Sequence, residues 1–306
     1  MKNNKKSINY KKKDISIIIM WDSYCSIMNN AYNILKKELK NKHNINNINL
    51  NLYSTRDVSN RLDDFLKDAK NSDVVFMYRT SSDDFYDNTE FNFKNLIITG
   101  QDPTYWNCGL SPKTYLYTTY GGIENFKNLI LCLINSLGLN IDYNEPEKFP
   151  FQGIYYRGNI YENLDELLKN NKFDKSKNTI GILFSRHYLV NEDMEVINNL
   201  MNKLNEHFNI IPVFTYGAKD DDLNALGSGE SVLKYFFKNG APVIDALINL
   251  LSFPLRTVKD NKDNNILKKI TGTDLLKKLN IPVFHPIMSY YKSYDEWKND
   301  MQGLSQ

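Results

Sequence analysis

"TIGILFSRHYLVNEDMEVINNLMNKL", residues 179–204, decides the fold. Thr179–Phe184 are uncharged and mostly apolar, without polar alternation, as in a strand buried on both faces. After Ser185, Arg186, His187 and Tyr188 the period changes. Val196, Ile197, Leu200, Met201 and Leu204 recur at helical spacing, and Asp193 stands where an N-cap belongs. A buried strand feeding an amphipathic helix is the first half of a parallel crossover unit. Its polar residues fall at the carboxyl end of the strand.

The same alternation extends in both directions. Upstream, strands are expected over 15–21, 48–54, 73–79 and 95–100, with helices over about 27–40, 61–70 and 123–137. Downstream, strands are expected over 210–217, 245–253 and 281–287. A helix covers 163–171, and another covers 266–280 with Gly272 breaking it in two. Residues 138–153 carry two prolines and no periodicity, which reads as a linker. The expected organisation is a solvated basic tail (1–14), a first α/β domain (15–145) and a second (146–306) that stops short of its full length. The fold class is α/β, with two doubly wound parallel-sheet domains of Rossmann or flavodoxin type in series.

Composition narrows the function classes. The chain has 306 residues, is 42% hydrophobic and 24% charged, and carries a net charge of +2. That charge is too small to argue for nucleic acid or a membrane surface. The apolar run "ISIIIMW" meets Asp22 at once and lacks a small-residue cleavage site, so it is not read as a signal peptide. "LILCLINSLGL" is about half the ~20 residues a spanning helix needs. A soluble cytoplasmic protein is expected. Cys25, Cys108 and Cys132 are far apart, with no CxxC and no His/Cys cluster at metal-ligand spacing, so buried free thiols and no bound metal are expected.

Ligands of doubly wound folds bind outside the carboxyl ends of the strands. That rule nominates Arg186, His187 and Tyr188, with Asn191 just beyond them, then Tyr216 and Gly217, Ser252, Phe253 and Pro254, and His285. Arg suits a carboxylate or phosphate, and His suits proton transfer. The plain alternative is a polar strand end facing water. In the first domain the ends are Trp21, Asp22 and Ser23; Tyr78, Arg79 and Thr80; and Gly100, Gln101 and Asp102. "GSGES" (227–231) resembles a phosphate loop but lacks the Walker lysine and does not directly follow a strand, so it reads as a flexible loop with Ser231 capping a helix. "GGIEN" (121–125) reads as a tight turn before a helix, and "KDDDL" (219–223) as a solvated loop.

Taken in order, "GIYY", "TIGILFSRHYLVNEDMEVINNLMNKL", "IIPVFTYGAKD", "DALINLLSFPL" and "IPVFHPI" resemble the N-terminal region of the cobaltochelatase large subunit, to which the magnesium chelatase H subunit is related. "YTTYGGIENFKNLILCLINSLG" is similar to that family's glycine-pair segment. The resemblance implies a subunit that binds a tetrapyrrole or corrin precursor. It implies Co2+ as the inserted substrate, and partner AAA+ ATPase and integrin-I-type subunits that bring ATP and Mg2+. It implies a nitrogen–metal ligase, inactive as this piece alone, for which this chain is an N-terminal fragment. The candidate cleft is then Arg186, His187, Tyr188, Asn191, Tyr216, Ser252, Phe253 and His285, with Arg186 and His187 meeting the carboxylate arms of the ring. No catalytic residue is assigned. The alternatives are a magnesium chelatase H-type subunit, a non-catalytic binding or interaction module, and an unrelated two-domain α/β enzyme such as a nucleotide-sugar transferase.

Overall fold

The computed structural model describes residues 15–20, 25–43, 48–79, 93, 96–100, 114–255, 271–288 and 293–301. The basic tail, Cys108, and the candidates Trp21, Asp22, Ser23, Thr80, Gln101 and Asp102 lie outside them, as do the side chains of Cys25 and Arg79. The chain divides into two compact units, Met1–Phe149 and Pro150–Gln306.

The first unit contains β1 (Ile15–Met20), α1 (Cys25–His43), β2 (Ile48–Tyr53), α2 (Thr55–Asn60), α3 (Leu62–Asn71), β3 (Val74–Arg79), β4 (Leu96–Gly100), α4 (Thr114–Tyr120) and α5 (Ile123–Asn135). Its strands form a parallel sheet in the order β2-β1-β3-β4. β3 shows why a continuous apolar run is needed. Val74, Phe76 and Tyr78 face a core shared with α1 and α5, while Val75 and Met77 face the one under α3. Both faces are covered, so polar alternation would bury unpaired groups. The Tyr53 hydroxyl donates to Asp68 at 2.6 Å and ties α3 to β2. Burial and that carboxylate push its pKa up to about 12. Sequence periodicity missed α2, whose N-terminus Ser54 and Asp57 cap reciprocally.

The expected linker is partly built into the first unit. Its lack of periodicity has a physical reason: side-chain amides of α5 satisfy its backbone. Asn135, Asn128 and Asn125 accept from the N–H groups of Ile141, Asn144 and Glu147 at 3.1, 2.8 and 2.9 Å. The Tyr117 hydroxyl donates to the Asn144 carbonyl at 2.5 Å. An extended segment strapped this way needs only one apolar anchor, and Ile141 is buried. Cys132 is a buried free thiol whose pKa burial raises.

The second unit contains β5 (Gln152–Tyr156), β6 (Asn159–Tyr161), α6 (Leu164–Asn170), β7 (Thr179–Ser185), α7 (Arg186–Val190), α8 (Glu195–Asn205), β8 (Asn209–Thr215), α9 (Ser228–Phe236), β9 (Phe237–Lys238), β10 (Ala241–Pro242), β11 (Ala246–Asn249), α10 (Gly272–Leu279), β12 (Val283–Phe284) and α11 (Tyr294–Lys298). The six-stranded sheet runs β12-β11-β7-β8-β5-β6. Its first four strands are parallel, and β5 and β6 form an antiparallel hairpin on the β8 edge. An all-parallel sheet was expected, and this hairpin is the difference.

β7 again divides its side chains between two cores. Ile180, Ile182 and Phe184 pack with Tyr188, Ile197 and Met201, while Leu183 packs with Val232, Tyr235, Phe236, Leu275 and Leu279. Several expected boundaries shift. Asp193 is not the cap of α8; Met194 occupies that position without a side-chain bond. Gly272 is the first residue of α10. Thr271 caps that helix through the Asp274 N–H, and a Cβ on Gly272 would meet the Leu255 carbonyl oxygen at 2.7 Å. The part of the expected 266–280 helix before Thr271 lies outside the described residues.

Tyr235 is fully buried, and its hydroxyl has no hydrogen-bond partner among the described residues. An unmade bond costs the desolvation of the group, about 1–3 kcal/mol. Tyr235→Phe removes that cost while keeping the ring, so it is expected to raise stability by about 1 kcal/mol. The check is the denaturation midpoint, which falls if the hydroxyl is in fact bonded.

Candidate functional site at the carboxyl edge of the second sheet

The parallel strands β12, β11, β7 and β8 end on one edge, and that edge carries every nominated residue of the second unit. Because β5 runs antiparallel to β8, with Gln152 opposite Thr215, the chain enters the unit at the same edge through Pro150 and Phe151. Periodicity and motif rules missed these two residues. The only signal was an aromatic beside a proline inside an apparent linker.

Arg186 is only 2% exposed. Its Nε donates to the Pro150 carbonyl at 2.8 Å, and the guanidinium carbon lies 4.7 Å from the centre of the Phe151 ring. The Tyr216 ring meets the same phenylalanine edge-on at 5.3 Å. Arg186, Phe151 and Tyr216 therefore form one cluster that joins the ends of β7 and β8 to the incoming chain.

His187 of α7 and Asn191, the C-cap of that helix, form a second pair one turn apart. Ser185 Oγ accepts from the His187 N–H and caps that helix. The Asn191 amide nitrogen lies 2.7 Å from His187 Nε2. Burial lowers the pKa of His187, and the Asp193 carboxylate offsets this only in part. A neutral ring can accept the Asn191 bond and a charged ring cannot. Tyr188 is buried in the core beneath, its ring edge-on to His187.

The lowered pKa has a defined sign. The unfolded chain takes up a proton at the ordinary histidine pKa, near 6.5, before the folded chain does. The neutral-His187 contribution is therefore complete above that pH and is lost as pH falls through the folded pKa. His187→Gln is expected to flatten the fall in stability below about pH 6.5. Denaturation midpoints of both proteins between pH 5 and 8 check this; parallel curves would show that His187 does not titrate abnormally.

The remaining nominees sit farther along the edge. Gly217 has φ +87°, and a Cβ there would lie 2.2 Å from the Phe253 ring, so the two are in direct contact. Ser252 is exposed. His285 is exposed, with Nε2 2.8 Å from the Leu251 carbonyl oxygen. In the first unit, Tyr78 is buried.

"GSGES" is not a loop with a cap at Ser231. Gly227 is the N-cap of α9, and Glu230 turns back so that its carboxylate accepts from the Gly227 N–H at 2.8 Å. The chain's own anion thus occupies the start of that helix. Lys219 lies 3.7 Å from the same carboxylate. Ser231 is buried, bonded to Thr215 Oγ1 at 2.8 Å. Gly122 is the N-cap of α5, at φ 88°. Among the described residues no three His, Cys, Asp or Glu side chains come together as a metal ion needs, and no helix is long and apolar enough to cross a membrane.

Parallel-rich sheets covered by helices on both faces, with polar strand ends gathered on one edge, make this a doubly wound α/β protein. Comparison with known proteins gives the family. The model for CobN/Magnesium Chelatase matches residues 115–306, more than half of the chain. The chain belongs to the CobN/magnesium chelatase family. It is 58% identical over 289 residues to MJ1441 of Methanocaldococcus jannaschii, and 34% identical over 198 residues to MJ0908 of the same organism. These alignments cover 94% and 63% of the chain but only 22% and 16% of the relatives, so the chain spans about a fifth of their length. The catalytic subunit of cobaltochelatase from Mycobacterium tuberculosis shares the fold, with a TM-score of 0.51 and 13% identity, over 96% of this chain and 23% of that one.

Proposed function

We propose that this chain is part of the tetrapyrrole-binding large subunit of an ATP-dependent metal chelatase that inserts Co2+ into a corrin precursor. The observation that carries this is the family match, which runs through the whole second unit. In this reading the carboxyl edge of the second sheet faces the macrocycle. Ser252 and His285 are exposed there, with Tyr216, Phe253 and His187 half-buried beside them. Ring carboxylates meet the donors, and the aromatic side chains lie against the ring face. ATP and Mg2+ act on AAA+ and integrin-I-type partner subunits, and the metal ion is substrate.

A second reading is a binding module whose chemistry lies elsewhere in a longer polypeptide. The engagement of Arg186 within its own fold favours it, because the strongest anion-binding group of the edge is already used. Titration of the 306-residue chain and of a full-length relative with a metal-free corrin precursor and a metal-free porphyrin, followed by visible absorbance, tests both readings. Binding by both proteins, with the corrin preferred, is the expected result. Preference for the porphyrin favours the magnesium branch. Binding by the longer protein alone favours the module, and binding by neither removes the tetrapyrrole reading.

A further inference from the structure

A cavity of about 240 Å³ opens at the opposite edge of the second sheet, where β8 begins and β5 ends. Met201 and Ile210 supply its apolar surface, while Tyr156, Arg157, Asn198, Asn202 and Asn205 supply its polar groups. Asn198, Asn202 and Asn205 recur every three or four residues, which puts them on one face of α8. The amides of Asn198 and Asn202 have no hydrogen-bond partner among the described residues. That of Asn205 has only a 3.5 Å contact with the Tyr156 hydroxyl.

Arg157 makes this cavity cationic. It occupies the first position of the two-residue turn joining β5 to β6, with φ +50°, followed by Gly158 at +82°. Turns of this geometry favour Asn or Gly at that position, so an Arg there is held at some conformational cost. Its guanidinium lies over the Tyr156 ring, 5.3 Å from the centre, and pairs with no carboxylate among the described residues. No acidic side chain lines the cavity.

We propose that this cavity binds a small hydroxycarboxylate. The guanidinium fork matches one carboxylate in two parallel bonds, and the asparagine amides both donate to and accept from hydroxyl groups. Pockets for drug-sized ligands are about 300–1,000 Å³, so the occupant is smaller. Phosphate is the weaker fit. The cavity runs along α8 from Asn198 to Asn205, and at the Asn205 end the negative end of the helix dipole opposes a dianion more than a monoanion. This site stands apart from the tetrapyrrole reading and does not depend on it.

The test is calorimetric titration of the 306-residue chain with glycerate, glycerol and inorganic phosphate at low salt. Glycerate is expected to bind with a Kd on the order of 1 mM, as one ion pair and a few amide bonds allow. Glycerol is expected to give no signal. Arg157→Gln is expected to weaken glycerate about tenfold, and Asn202→Asp, which adds a like charge at an exposed position, to abolish binding. Both residues are exposed, so neither change threatens folding. Equal binding of glycerate and glycerol, tighter binding of phosphate, or an Arg157→Gln protein with unchanged affinity overturns the proposal.

Discussion

Gly217→Ala is expected to cost the second unit about 2–5 kcal/mol, from two independent terms. The backbone at Gly217 is left-handed, at φ +87°. A side chain there costs about 1–2 kcal/mol. The new methyl would also lie 2.2 and 2.3 Å from Cε2 and Cζ of Phe253, with nothing flexible in between. Overpacking of that kind costs typically 1–3 kcal/mol. The backbone cannot easily retreat, because the Gly217 N–H donates to Thr215 Oγ1 at 3.1 Å and its carbonyl accepts from the Ser228 N–H at 3.1 Å. Hydrogen exchange of the β7 and β8 amides reports the second unit without the first. Their protection is expected to fall sharply in Gly217→Ala. Adding Phe253→Ala removes the clash but not the backbone term, so a double-mutant cycle is expected to show coupling of about 1 kcal/mol or more. Additive effects would mean that the ring does not rest on Gly217.

That contact shows what the sequence disclosed and what it did not. β3, β7 and β8 were legible because strands covered on both faces need unbroken apolar runs, and few other elements do. β11 and β12 were read too long, because apolar residues past a strand end can enter the core from a loop. Leu250 and Leu251 are buried, yet β11 has ended by Asn249. The β5–β6 hairpin was missed because Arg157 holds a turn position where the usual signal is Asn or Gly.

The strand-end rule gathered its nominees on one edge, since topology alone fixes where parallel strands stop. It could not sort the nominees. Tyr188 and Arg186 are core, Phe253 packs on a glycine, and Ser252 and His285 face outward. That division depends on which neighbour arrives from distant sequence. Phe151 and Pro150 arrive from a stretch with no helical or strand period. The asparagines of α8 raised no signal, because asparagine is an ordinary surface residue until three of them line one cavity.

Arg186 carries the second large expectation, and it separates structure from ligand binding. Arg186→Ala is expected to destabilise the second unit by about 3–4 kcal/mol. A hydrogen bond from a charged donor contributes about 1.5–3 kcal/mol. A desolvated guanidinium over an aromatic ring adds about 2 kcal/mol. The terms overlap, because one side chain makes both contacts, so their full sum is not expected. Arg186→Lys keeps the charge but loses the planar group that stacks on Phe151 while Nε reaches Pro150, so most of the loss is expected to remain. Hydrogen exchange should localise the effect to β5 and β7, where Pro150, Phe151 and Arg186 hold the incoming chain against the strand end. Tetrapyrrole affinity of the same variants in a full-length relative is the paired measurement. If protection falls and affinity falls with it, Arg186 acts by holding the edge in place. If affinity falls while protection is kept, the guanidinium leaves Pro150 to meet the ligand. The geometry favours the first outcome: at 2% exposure, a carboxylate could reach this group only after Phe151 had moved.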